Sequence, residues 1–213
     1  GAQTIGGGVI FTTYTGAPEW VGIVVMGVTV MLYCMAGGIR SIMLTDLIQG
    51  ILMVVTAVVT FFVSLKLGGG LEVINEKLAA MDTNYVSFPS HNNSYPWQGY
   101  VSMIVMWSFF AIGQPHLFTK FFTMKDHKTM FKAVILGTLG MWFSASFIEW
   151  CGVTGIISFP GLEGKQSDFV VPLILQGGLS PILSSLMIAG IFSAGMSTIS
   201  SLLLTATSAA SRD

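Results

Sequence analysis

From Pro181 to Ala210 the chain carries no charged residue. That is long enough to cross a bilayer, whose hydrocarbon core takes about 20 apolar residues of helix. Yet Ser193, Ser197, Thr198, Ser200, Ser201, Thr205, Thr207 and Ser208 all lie inside the run. The rest of the chain agrees with it: 53% of residues are apolar and 9% charged, against about a quarter charged in a soluble domain. So few charges cannot wet a soluble surface. The chain reads as an all-α integral membrane protein.

Five stretches are apolar enough to span, approximately Trp20–Gly37, Asp46–Leu65, Gly99–Phe118, Ala133–Ser158 and Leu179–Ala210. Residues 1–14 read as the tail of a further helix. Helices satisfy every backbone group internally at membrane depth, and no alternation of a lipid-facing barrel is present. The opening GAQTIGGG and the closing SRD suggest one transmembrane domain over residues 1–213, incomplete at both ends.

Loop charges set a direction. One set of connections holds Arg40, Lys120, Lys125, Lys128, Lys132 and Arg212, the other Lys66, Lys77 and Lys165. Basic residues gather on the cytoplasmic side, which places the first set inside the plasma membrane, residue 1 near the outer side and Asp213 in the cytoplasm. Net charge of −1 gives no reason to expect a nucleic acid. Cys34 and Cys151 sit in apolar runs and read as packing residues. In the long outer connection, Leu71, Ile74 and Leu78 share a helical face and predict a short interfacial helix, and Asn92-Asn93-Ser94 is a formal glycosylation sequon.

Polar groups at membrane depth are expensive and therefore informative. Ala194, Thr198, Ser201 and Thr205 form one helical stripe with Ser197 beside it. Such hydroxyls either bond their own preceding turn or offer oxygens to a small hard cation, which prefers them. In the third span, Gly113-Gln114-Pro115 interrupts the helix: Pro115 has no N–H and clashes with the turn before it. Trp107, Phe109, Phe110 and Gln114 lie at or just before that break, which is either an ordinary kink or a broken helix lining a path. Glu149 lies in the outer part of the fourth span and should face protein or water. Asp46, near the start of the second span, reads as a helix cap. His116 and His127 lie near the cytoplasmic edge without a partner at metal spacing.

Three passages together resemble the sodium/solute symporters, the family of sodium/proline, sodium/pantothenate and sodium/glucose carriers: YCMAGGIRSIMLTDLIQG at 33–50, GQPHLFTKFFTMKD at 113–126 and AGIFSAGMSTISSLLLTATSAASRD at 189–213. The resemblance implies a LeuT-type core of ten helices in two inverted repeats, of which this chain would hold the tail of core helix 3 and core helices 4–8. It implies a sodium site between the first and eighth core helices, with the Ala194 carbonyl and the Ser197 and Thr198 hydroxyls as this chain's share. It also implies a substrate path along the broken third span, at Trp107, Phe110, Gln114 and Pro115; Glu149, from its position alone, is either a structural hydrogen-bonding group at an outer cavity or a polar gate. Proline-transporting members carry a tyrosine where this chain has Ala111, and KDHKTMFKAVILGTLG with PGL…SDFVVP looks closer to the pantothenate and monocarboxylate branch. The expected activity is sodium-coupled import of a small carboxylate or amino acid by alternating access. A solute-sensing domain with the same fold is the alternative. No HExxH or GxSxG motif occurs, and Glu149 has no evident catalytic partner, so an enzyme is not expected.

Overall fold

The computed structural model describes residues 2–86 and 96–212; residue 1, the Asn92-Asn93-Ser94 sequon and Asp213 lie outside the described residues. Among the described residues there are eight α-helices and no strand. The tail helix expected at the start is α1, Ala2–Thr15.

The first two expected spans follow one another in α2 (Glu19–Gly68), with a single non-helical residue between them, Gly38 at φ 55° and ψ −146°. Glycine enters that region without the Cβ clash any other residue would meet. The chain reverses there. The Tyr33 hydroxyl donates to the Met196 carbonyl at 3.2 Å, and Ser200, one turn further along the last helix, donates to Asp46 at 3.4 Å. A straight helix would hold residues 33 and 46 about 20 Å apart, so α2 is a hairpin whose two legs are the two spans.

The third expected span is broken where its sequence predicts. α4 (Trp97–Phe110) passes into a 3₁₀ turn, Ala111–Gly113. Gln114 is extended at φ −105° and ψ 94°, and Pro115 then starts α5, Pro115–Phe121. Neither piece is long enough to cross alone, and three helices among the described residues are both long and apolar enough to do so. α6 (His127–Ser158) starts on Asp126, whose Oδ1 accepts the Thr129 amide at 2.7 Å. α7 (Val170–Gly178), absent from the sequence reading, follows a 3₁₀ turn at Gly164–Phe169. α8 is Pro181–Arg212.

Cross-helix contacts fix the relative polarities. Tyr14 bonds Ser184 while the Gln3 carbonyl lies beside Gly195, so α1 and α8 are antiparallel. Thr56 donates to the Met187 carbonyl at 3.3 Å and Ser200 meets Asp46, so the second leg of α2 is also antiparallel to α8. The same leg runs parallel to α6, with Phe61 stacked on Phe147 at 4.7 Å and Gly68 beside Thr154. These are the polarities that the alternating loop charges require.

The core lies where α2, α6, α7 and α8 meet, around Val63, Cys151, Ile174, Leu175, Met187 and Ile188. Cys151 is fully buried there, in the packing role expected of it. Close approach of α2 and α8 requires Gly190, because a Cβ at that position would meet Thr56 and the Leu52 carbonyl. Outward faces are apolar: Leu32, Leu44, Leu136 and Trp142 are each more than 60% exposed, a surface suited to hydrocarbon and hostile to water.

The outer-loop helix is α3, Leu71–Met81. It is not purely interfacial. Ile74 is 0% and Leu78 3% exposed, with Ile74 packed over Gly68, so the middle of its apolar face is spent on protein, and Leu71 and Met81 at its two ends remain exposed. Burying that face against α2 and α6 removes it from competition with lipid.

Candidate functional site

On α8 most hydroxyls bond the turn behind them. Ser193 donates to the Ala189 carbonyl, Thr198 to Ala194 at 3.1 Å, Ser201 to Ser197 at 2.9 Å and Thr205 to Ser201 at 2.9 Å. That is how a helix carries Ser and Thr in an apolar setting without leaving donors unmet. Ser184 reaches another helix instead, at Tyr14, and Ser200 lies within reach of Asp46 as well as of its own preceding turn. Ser197 and Ser208 are the exceptions, and of the two only Ser197 is half-buried: its hydroxyl makes no hydrogen bond among the described residues, while its carbonyl accepts both Ser200 and Ser201 at 2.9 Å. Ala194 and Thr198 are likewise half-buried and hold their oxygens 3.1 Å apart. This set offers neutral oxygens only. Such donors suit a small monovalent cation that must also leave.

One turn further along, Ser200 enters a cluster that the sequence reading missed. Asp46 accepts Lys120 Nζ at 2.7 Å on Oδ2 and Ser200 on Oδ1. Tyr33 is held close by through the Met196 carbonyl, and Gln49 Oε1 is buried without a partner among the described residues. The expected capping role of Asp46 is overturned: the second leg of α2 already begins after Gly38, so Asp46 lies two turns inside the helix and its carboxylate serves α5 and α8. Nothing local in the sequence marks Lys120 as its partner, because the two are 74 residues apart. The available signal was an acid well inside an apolar stretch, whose charge demands compensation.

The residues expected along a substrate path are not gathered into one closed site. Trp107 and Phe110 touch each other, ring centroids 5.1 Å apart, as neighbours on one helical face. Both are exposed, as is every residue from 101 to 110. Gln114 is half-buried at the break and Pro115 exposed. α5 reaches α8 through the Lys120–Asp46–Ser200 chain, whereas α4 packs on little beyond its own 3₁₀ turn. Glu149 is exposed and lines a cavity of about 260 Å³ between α6, the 3₁₀ turn and α7, with Ser167 as the other polar side chain. Among the described residues no group of three or more His, Cys, Asp or Glu could hold a metal ion.

The sequence pattern of the sodium:solute symporter family matches residues 1–213. The chain belongs to that family. It is 28% identical to the sodium/pantothenate symporter of Haemophilus influenzae over 206 residues, covering 97% of this chain and 42% of that protein. It is 29% identical to the sodium/proline symporter of Staphylococcus aureus over 213 residues, covering 98% of this chain and 40% of that protein. The chain thus spans about two fifths of the length of these symporters. No solved structure matches. Both symporters are named as carriers rather than enzymes, and their names favour carriage over sensing. The α8 oxygens and the break before Pro115 are two features of this chain that depart from ordinary lipid-facing helix, and Asp46 joins the elements that carry them.

Proposed function

We propose that this chain is part of a plasma-membrane transporter domain that imports a small carboxylate or amino acid together with sodium by alternating access. Ala194, Ser197 and Thr198 contribute this chain's share of the sodium site, and Trp107, Phe110, Gln114 and Pro115 border the solute path. Glu149 is a polar gate towards the outside. Asp213 lies in the cytoplasm and Thr15 near the outer side; the start of the chain, expected there, is deeper, because Tyr14 meets Ser184 at the outer end of α8 while Gln3 lies beside Gly195 midway along it. On this reading the chain is the tail of core helix 3 and core helices 4–8 of a LeuT-type fold.

One observation carries the ion assignment: the Ser197 hydroxyl is uncommitted on a helix whose other hydroxyls are largely satisfied. If the Thr198 hydroxyl proton turns aside, the Ala194 and Thr198 oxygens, 3.1 Å apart, are close enough for one small ion to touch both. Neutral donors let the ion dissociate on the low-sodium side, and both ligands bias one conformational equilibrium, which is how a gradient of one drives the other.

The test is uptake by the full-length protein in proteoliposomes, with and without a sodium gradient, across a panel of carboxylates and amino acids. Ser197→Ala with Thr198→Ala is expected to raise the sodium concentration for half-maximal uptake by about tenfold, the equivalent of one modest ligand interaction, at undiminished protein yield. An unchanged sodium dependence in that double variant refutes the assignment.

A further inference from the structure

We propose that the junction of α5 and α6 binds an anionic phospholipid of the membrane leaflet on its own side, the phosphate on Lys125, Lys128 and Lys132 and an acyl chain in the aromatic cleft beside them. Two adjoining cavities, about 910 and 500 Å³, meet at this junction and share His127 and Met130 in their walls. Phe122 and Phe131, on either side, are 84% and 66% exposed. Rings left open in water at a membrane boundary cost free energy that an acyl chain recovers.

The charges are complementary to one kind of headgroup. Lys125, Lys128 and Lys132 are exposed, and none meets a carboxylate among the described residues, whereas Lys120 is already held by Asp46. The single acid of the junction, Asp126, is turned onto the Thr129 amide at 2.7 Å. Lys128 and Lys132 fall on one face of α6, one turn apart, and Lys125 precedes them across the cap. Clusters of lysines directly beside a spanning helix attract anionic lipid in this way. A free phosphate ion would use the lysines and leave the phenylalanines unexplained. The lipid uses both.

The experiment needs no transport activity. Full-length protein in detergent is equilibrated with equimolar phosphatidylglycerol and phosphatidylcholine, and retained lipid is counted by native mass spectrometry. Phosphatidylglycerol is expected to be retained over phosphatidylcholine by about tenfold or more, given roughly fivefold per lysine beside an anionic headgroup. Lys125→Gln, Lys128→Gln and Lys132→Gln together should bring the two to parity, and Lys128→Gln alone, which guards against misfolding of the triple variant, should lower the preference about fivefold. Lys66→Gln with Lys77→Gln, on the opposite set of loops, should leave it unchanged. Parity in the unaltered protein, as when another segment of the protein covers the cleft, overturns the proposal. So does a preference that survives the triple change, or displacement of phosphatidylglycerol by excess inorganic phosphate.

Discussion

Lys120 Nζ lies 2.7 Å from Asp46 Oδ2 and ties the short helix after the break to the second leg of the α2 hairpin. Because Asp46 also accepts Ser200 of α8, one carboxylate joins three elements that are far apart in the sequence. The Asp46 side chain is 13% exposed and that of Lys120 36%, so the pair is neither dry nor freely screened. Lys120→Met should cost about 1–2 kcal/mol, between the values for exposed and buried pairs. Thermal unfolding in detergent checks this. Adding Asp46→Asn should return part of the loss, since the neutral amide no longer needs a cation; additive losses would show that the two residues do not act as a pair.

Gly38 should tolerate no side chain. A Cβ there meets nothing within 4 Å, but φ 55° with ψ −146° is a backbone conformation for glycine. Gly38→Ala is therefore expected to destabilise by about 1–3 kcal/mol through the backbone alone. Gly50→Ala, in the same helix and equally open but with helical backbone, should instead be neutral or stabilising by up to about 1 kcal/mol. Melting temperatures that move together in the two variants would contradict the hairpin geometry.

Gly190 tests packing rather than backbone. Its missing Cβ makes room for Thr56 and the Leu52 carbonyl. Gly190→Ala should loosen the α2–α8 seam at a cost of about 1–3 kcal/mol. Thr56→Ala on that background should recover part of it, by vacating the space the new methyl needs, even though it removes the hydrogen bond to Met187. The readout is the thermal midpoint of the single and double variants.

The cap of α6 has a definite pH signature. The Thr129 amide bonded to its carboxylate holds Asp126 below its ordinary value of 3.8. A depressed folded value means the cap contributes fully above the ordinary carboxylate range and is lost as pH falls through the lowered one. Hydrogen exchange of the Thr129 amide should accordingly show cap protection unaffected by titration of Asp126 from pH 5 to 8. At neutral pH, Asp126→Ala should speed that exchange while Asp126→Asn, itself a good N-cap, should not. Equal exchange in both variants would show that the side chain does not cap.

Much of the architecture could be read from local pattern. The hydrocarbon core sets a length, so long apolar runs with at most one charge marked α6, α8 and both legs of α2. Pro115 lacks an N–H, so the break after Phe110 was legible at its position. α7 was not, because a nine-residue apolar helix beside a loop carries no length signal, and α3 showed its apolar face without showing whether lipid or protein covers it. Of the candidate site, the hydroxyls of α8 were visible as anomalies; that Ser197 is the half-buried one left uncommitted required the hydrogen bonds themselves.

Alone, the residues of this chain determined its solvent, its crossings, their alternation and the place where one of them breaks, because each follows from short-range chemistry: hydrophobic length, lysine placement, a missing amide hydrogen. Only the tertiary structure decided that Asp46 answers Lys120 and Ser200 rather than a helix end, and that Gly38 turns the chain back on itself. A charge inside an apolar helix needs an opposite charge, a polar partner or water, but which one it finds depends on how distant segments pack, and that is set by the shapes of whole helices in contact rather than by any one stretch of sequence.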